Sequence, residues 1–324
     1  MAKGLEDTLK LYLSRGDEGA PVQMPVWWLV GQENLKSAFE IFAIDPGIGS
    51  LLVYGGSGTG KTNAINSICA LMPDVPIYAG CENMCSPFDA KLCDSCENDK
   101  ERRAVNYPMR CHRAPMNYDA NDPDWRATAT ERIISGARRG VVIFDPLNHY
   151  DPGLVIRVCQ HSVSSDPEGR GRISVVGAYD MLGDSLPMML MSFTMGVRVE
   201  MREDLEERTE IIRRSKEYSS TAQKEAELEF KKELQRINDA RVMLPKVEFS
   251  EAMSKKVDEI CSRFVSRLKF RVDSTLLRGQ FARVCRAYTA IQGKQYVTPS
   301  EVSDSARLVF THRVETLGLT FSET

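Results

Sequence analysis

A chain of 324 residues exceeds one average domain and can bury a substantial core, so its length predicts one large domain with a smaller companion. Apolar residues make up 42% and charged residues 27%, and 42 Lys and Arg stand against 45 Asp and Glu for a formal charge of -3, ordinary values for a soluble globular protein. No basic excess suggests nucleic acid as the main partner, and neither a leader-like N-terminus nor a run of about 18 uninterrupted apolar residues is present, which predicts a cytoplasmic protein without a membrane span.

In chain order, apolar β-rich runs recur at Leu51–Tyr54, Val75–Ala79, Val141–Phe144, Ile173–Val176 and Val197–Val199, with helical stretches between them. This alternation predicts an α/β fold with a five-stranded parallel sheet covered by helices on both faces. The first run leads into Gly55, Gly56, Ser57, Gly58, Thr59, Gly60, Lys61 and Thr62, and a helix-compatible stretch follows from Asn63. G-x-x-x-x-G-K-T between strand and helix is the pattern of a phosphate-binding loop. Its glycines let successive backbone N–H groups point at phosphate oxygens, and the helix N-terminus adds partial positive charge. Lys61 would reach the β- and γ-phosphates and the Thr62 hydroxyl would ligate magnesium, so the expected cofactors are ATP and Mg.

After the second run come Cys81, Cys85, Cys93 and Cys96 in a C-x3-C-x7-C-x2-C arrangement, with Cys111-His112 further on. Four thiolates gathered from one loop suit tetrahedral zinc or an iron–sulfur cluster, and buried or free thiols are the competing reading. Cys69, Cys159, Cys261 and Cys285 fall within helical patterns and read as core residues. Val141–Phe144 closes on Asp145, the position of a carboxylate that holds a magnesium water shell; a strand-ending turn residue before Pro146 is the alternative. His149 and His161 read as surface residues rather than bases, and Met188-Met189-Leu190-Met191 as buried packing or a subunit contact.

The strand pattern stops near Glu200. From Met201 to Arg241 the chain is rich in Glu, Lys and Arg, with opposite charges at three- and four-residue spacings, which predicts long exposed helices linking two domains. Beyond Pro245, amphipathic patterns at Ser250–Leu268, Ser274–Ile291 and from Thr298 predict a helical domain. Thr298, Pro299 and Glu301 open the last helix as a capping box. The expected division is a nucleotide-binding α/β domain over 1–200 carrying a cysteine-rich loop over 81–111, a charged linker over 201–244 and a helical lid over 245–324.

With these elements placed, the chain resembles the ATPase I subunit of magnesium chelatase, an AAA+ protein of chlorophyll and bacteriochlorophyll synthesis. The residues that carry the resemblance are Val30-Gly31-Gln32-Glu33-Asn34-Leu35-Lys36, Ala43-Ile44-Asp45-Pro46-Gly47-Ile48-Gly49 into the P-loop, Arg139-Gly140-Val141 through Asp145, and Asn148. Leu244-Pro245-Lys246-Val247 and Leu277-Arg278-Gly279, followed by Arg283, add to it. The resemblance implies an AAA+ P-loop domain with a C-terminal helical lid, an adenine pocket bordered by Val30, Gly31 and Gln32, and catalytic roles for Lys61, Asp145 and Arg278, with Arg278 as the lid arginine that senses the γ-phosphate. It also implies assembly in a ring, with itself or an intact paralogue, beside larger chelatase-type subunits.

Three departures qualify the expected activity. Pro146 stands where the family carries the water-activating Glu, Asp180 stands at the sensor-1 Asn position, and Leu186–Phe193 contains no arginine where the family supplies trans-acting ones; Arg170 and Arg172 are possible substitutes. A general base contributes about 10²–10⁴ in rate and such arginines about 10³–10⁵, so weak or absent hydrolysis by the isolated chain is expected. The competing functions are a nucleotide-gated regulatory or scaffolding protein without turnover, and a MoxR-like remodelling ATPase.

Overall fold

The computed structural model describes residues 29–89, 91–116, 118, 123–163, 173–181, 187–201, 204–217, 222–267 and 274–317. Arg170, Arg172, Leu186 and the first 28 residues, which entered the sequence argument, lie outside the described residues.

Five parallel strands make the central sheet: β1 (Ser50–Gly55), β4 (Cys111–Arg113), β5 (Val141–Phe144), β6 (Ser174–Asp180) and β7 (Met195–Val199), in the order β4-β5-β6-β1-β7. Alternate residues face opposite sides of a strand. Leu51, Val53, Val141, Ile143, Val176, Met195 and Val197 accordingly enter one buried core, and Leu52, Tyr54, Val142, Phe144, Val175 and Tyr179 the other. Burial on both faces explains why β1 and β5 read as continuous apolar runs.

The parallel sheet has five strands as expected, but the second predicted run belongs elsewhere. β2 (Asp74–Tyr78) pairs antiparallel with β3 (Ala104–Pro108) in a separate ribbon, with Val75 opposite Tyr107. Of its five residues only Ile77 is fully buried, a half-exposed pattern unsuited to a sheet covered on both sides. The fifth place goes to β4, three residues long at the sheet edge.

Helix α1 (Glu33–Ile44) buries Leu35, Ala38, Phe39, Ile41 and Phe42, and α2 (Lys61–Ile68) follows the P-loop. A short α3 (Asp94–Asn98) lies in the cysteine loop, while α4 (Trp125–Gly136), α5 (Pro152–Val163) and α6 (Pro187–Met191) contribute to the second core. In α6, Met189 and Leu190 are buried and Met188 is exposed, so the methionine run is split between packing and surface.

The charged segment forms α7 (Leu205–Glu217) and α8 (Ala222–Met243). The expectation of long exposed linking helices does not hold for one face of α8, because Phe230, Leu234, Ile237 and Ala240, spaced on that face, are buried in the main core. Arg241 at its end donates to the Ala43 and Leu71 carbonyls. The C-terminal helices α9 (Glu251–Arg267), α10 (Ser274–Ile291) and α11 (Pro299–Thr316) pack through Phe264, Phe281 and Phe310, with ring centroids 4.9 and 5.3 Å apart. The capping box forms as read: the Thr298 N–H donates to Glu301 Oε2 at 2.9 Å.

These helices dock on α1 and the β7 edge. Arg313 donates to the Phe193 carbonyl at 2.7 Å, and Arg283 donates to Asp45 Oδ1 at 2.7 Å and Oδ2 at 2.9 Å. Asp45 follows α1 and precedes β1, so this contact lies at the end of the sheet opposite the P-loop. Tyr288, Ile291 and Gln292 at the other end of α10 share a cavity with Glu33 and Ser37 at the start of α1. Helix α10 therefore runs antiparallel to α1.

Candidate functional site

The P-loop spans the carboxyl end of β1 and the N-terminus of α2, at the rim where ligands enter open α/β sheets. Its glycines are required by geometry. A Cβ on Gly55 would stand 2.1 Å from the Val199 carbonyl oxygen, and Gly58 and Gly60 hold φ of +77° and +88°, the left-handed region that side chains disfavour. The loop thus presents backbone N–H groups and the open end of α2 to one side.

Lys61 is buried, and its Nζ donates to the Gly55 carbonyl at 3.0 Å and the Gly56 carbonyl at 2.6 Å. These are carbonyls of its own loop, and a phosphate oxygen is a stronger, charged acceptor for the same ammonium. The next residue turns toward the neighbouring strand: Thr62 Oγ1 donates to Asp145 Oδ1 at 3.1 Å. The structure therefore brings together the hydroxyl and the carboxylate that the sequence placed 83 positions apart. Asp145 is buried at the end of β5, and the pair offers the hard oxygen donors that Mg²⁺ takes alongside water and phosphate. The donor set fits that ion.

Sequence reasoning missed Arg113, which the structure makes central. It ends β4, and its guanidinium donates to Asp145 Oδ2 at 3.2 Å and to Asn66 Oδ1 at 2.5 Å. The guanidinium is the counter-ion of Asp145 in this state. The only available signal was an arginine closing a three-residue strand, too short to stand out from periodicity.

Asp180 ends β6, in register with Gly55 on β1, and so borders the P-loop. Its backbone N–H donates to Asn148 Oδ1 at 2.9 Å while Asn148 Nδ2 donates to the Asp180 carbonyl at 3.0 Å. Among the described residues its Oδ1 is buried without a hydrogen-bond partner. Pro146 follows Asp145 and carries no base, and His149 beyond it is exposed.

Gly31 and Gln32 line a cavity of about 550 Å³ with Tyr54, Arg198, Glu200 and Arg307, between the start of α1, β7 and α11. Gln32 Nε2 donates to the Glu200 carbonyl at 2.9 Å, and Val30 sits half-buried in the preceding turn. Tyr54 connects this cavity to the P-loop, since Gly55 is the next residue. Its hydroxyl donates to Glu315 Oε2 at 2.9 Å, and burial beside that carboxylate holds the phenol well above its usual range.

Arg278 is not brought to the P-loop. Its Nε lies 2.6 Å from Asp258 Oδ1, and Nη2 donates to Ser262 Oγ at 3.3 Å. It precedes the Arg283–Asp45 contact on α10 and so stands at the far end of the sheet. The physical reason is the docking of the helical domain along α1, which the turn Leu277-Arg278-Gly279 does not encode by itself.

The four clustered cysteines converge, with the sulfurs of Cys81, Cys85, Cys93 and Cys96 within 4.8 Å of one another. Cys111 is not among them. It is disulfide-bonded to Cys69, with Cα atoms 5.8 Å apart, which joins the turn after α2 to β4 and corrects the reading of Cys69 as a plain core thiol. Cys159, Cys261 and Cys285 are buried as expected. No helix among the described residues is long and apolar enough to cross a membrane.

Comparisons with known proteins agree with this architecture. Residues 279–323 match the AAA lid domain family. The chain is 27% identical to a magnesium-chelatase subunit ChlI homolog of Methanocaldococcus jannaschii, covering 90% of this chain and 85% of the relative. It is also 27% identical to the magnesium-chelatase 38 kDa subunit of Cereibacter sphaeroides, covering 88% and 90%. A putative ATPase of Cytophaga hutchinsonii shares the fold, with a TM-score of 0.51 at 14% identity over 98% of this chain and 92% of that one. The motifs, the parallel sheet with its C-terminal helices, and these similarities over about 90% of the chain together make it similar to the magnesium-chelatase subunit I proteins, with an AAA lid domain at its C-terminal end.

Proposed function

We propose that this chain binds Mg·ATP and acts as a subunit of an AAA+ ring, made of its own copies or of copies with an intact paralogue, beside larger chelatase-type subunits that carry the porphyrin. The observation that carries the reading is the Thr62–Asp145 contact of 3.1 Å beside a P-loop whose Lys61 is held by its own carbonyls. In this reading the P-loop N–H groups and Lys61 bind the triphosphate, and Thr62 and Asp145 hold Mg²⁺, which neutralises phosphate charge. Asn63 continues the helix N-terminus behind them. Gly31 and Gln32, on the cavity that adjoins Tyr54, border the base.

Arg278 contributes nothing to its own chain's phosphates in this proposal, because its partners are Asp258 and Ser262. Pro146 removes the usual position of the water-activating carboxylate, which supports the second reading of a nucleotide-gated scaffold that binds without turnover.

Phosphate release measured on the chain alone and mixed with an intact family member separates the two. Turnover in the mixture above that of the intact member supports a mixed ring. Equal rates support the scaffold, and sustained turnover by the chain alone refutes the impaired-hydrolase reading.

A further inference from the structure

Between β2 and β3 the chain makes an excursion that the nucleotide site does not use, and its sulfurs meet at one point. Cys81 Sγ and Cys93 Sγ are 3.7 Å apart, and all four sulfurs lie within 4.8 Å. Thiolates around one zinc at about 2.3 Å define a tetrahedron with edges of about 3.8 Å, which the 3.7 Å Cys81–Cys93 pair matches and the other pairs, all within 4.8 Å, approach. A four-iron cluster puts each thiolate on a different iron with sulfide between them, which requires sulfurs farther apart than one ion's shell. Cys85, Cys93 and Cys96 are 0%, 7% and 5% exposed.

We propose that Cys81, Cys85, Cys93 and Cys96 bind a single zinc ion as a tetrathiolate, a structural clasp on the β2–β3 excursion that is separate from the nucleotide site. Backbone groups support thiolates there: the Cys85 N–H donates to Cys81 Sγ at 3.5 Å, and the Cys93 N–H donates to Cys85 Sγ at 3.4 Å. Such donors to ligand sulfurs are the usual outer support of a metal site. Zn²⁺ with four thiolates carries a net charge of 2-, and two arginines reach the loop. Arg102 donates to the Cys96 carbonyl at 2.6 Å and lies over the Tyr78 ring, and Arg138 donates to Asn83 Oδ1 at 2.7 Å.

The clasp is fastened to the sheet through Arg139, which precedes β5. Its Nε donates to the Met84 carbonyl at 3.3 Å, and its Nη2 holds both Asp89 oxygens, in a pair whose side chains are 8% and 5% exposed. The metal thereby fixes the loop to the N-terminal end of β5, the strand whose other end carries Asp145.

The test is elemental analysis of the full chain purified anaerobically without chelators, with about one zinc per chain and negligible iron expected. Cys93→Ser and Cys96→Ser should each lose the zinc. Should those variants fail to fold, cobalt loaded into the chelator-stripped natural chain decides, with strong sulfur-to-cobalt charge-transfer and tetrahedral ligand-field bands expected. Absence of metal, iron with visible sulfide absorption, zinc retained by both Ser variants, or an octahedral cobalt spectrum would each overturn the proposal. Calorimetry with Mg·ATP on the same sample is an independent readout: failure there removes the proposed function and leaves the zinc site standing.

Discussion

Arg113→Ala tests the electrostatic arrangement of the site most sharply. The Arg113 side chain is 48% exposed and that of Asp145 5% exposed, so water screens one end of the pair only. Such a half-exposed pair contributes about 1 kcal/mol. Asp145 keeps the Thr62 hydroxyl as a partner, so the nucleotide-free variant should melt about 2–4 °C lower, or less for a chain of this length. Binding reverses the sign. A magnesium ion on Asp145 must displace the guanidinium in the natural chain and need not do so in the variant. Recovering ~1 kcal/mol corresponds to roughly fivefold tighter apparent Mg·ATP binding by the variant. Isothermal titration calorimetry at several magnesium concentrations, with melting curves in parallel, measures both effects. Equal Mg·ATP binding by Arg113→Ala would refute the counter-ion account, and weaker binding would refute it and put the guanidinium on the phosphate instead.

Two further outcomes follow from groups away from the P-loop. Arg139→Met strands the buried Asp89 carboxylate, and chemical denaturation should register a loss of about 3 kcal/mol; the double variant Asp89→Ala, Arg139→Met should lose less than the sum of the single changes. An unchanged denaturation midpoint in Arg139→Met would contradict the clasp contact. His312 is 1% exposed and held neutral by burial beside Arg313, so its folded pKa lies well below 6.5. The stability it contributes is present above pH 6.5 and lost as pH falls, because the unfolded chain gains a proton the folded one refuses. The slope is about 1.4 kcal/mol per pH unit for one proton. Between pH 6.5 and 5.5 the natural chain should therefore lose more stability than His312→Gln, and identical slopes would show that His312 does not titrate on unfolding.

What the sequence disclosed follows how local each constraint is. The P-loop was legible because its glycines answer local backbone geometry and Lys61 and Thr62 answer a fixed chemical spacing. Asp145 was legible because an apolar strand buried on both faces ends abruptly on a carboxylate. The cysteine tetrad also lies within one short loop. The remainder depended on tertiary packing. β4 has three residues and no periodicity to detect, so the place of Arg113 beside Asp145 was hidden, and Val75–Ala79 was assigned to a sheet that its half-exposed side chains do not suit. The buried face of α8 was masked by the charges around Phe230, Leu234 and Ile237. Arg278 was assigned to the phosphates from a turn, but the antiparallel course of α10 along α1 decides where that turn goes. The Cys69–Cys111 bridge likewise joins positions that only the fold makes neighbours.

The most direct measurement is calorimetry of the natural chain and Lys61→Ala with Mg·ATP. The account predicts a saturable heat of association for the natural chain that the variant lacks. No heat from the natural chain, or equal binding by both, would contradict it.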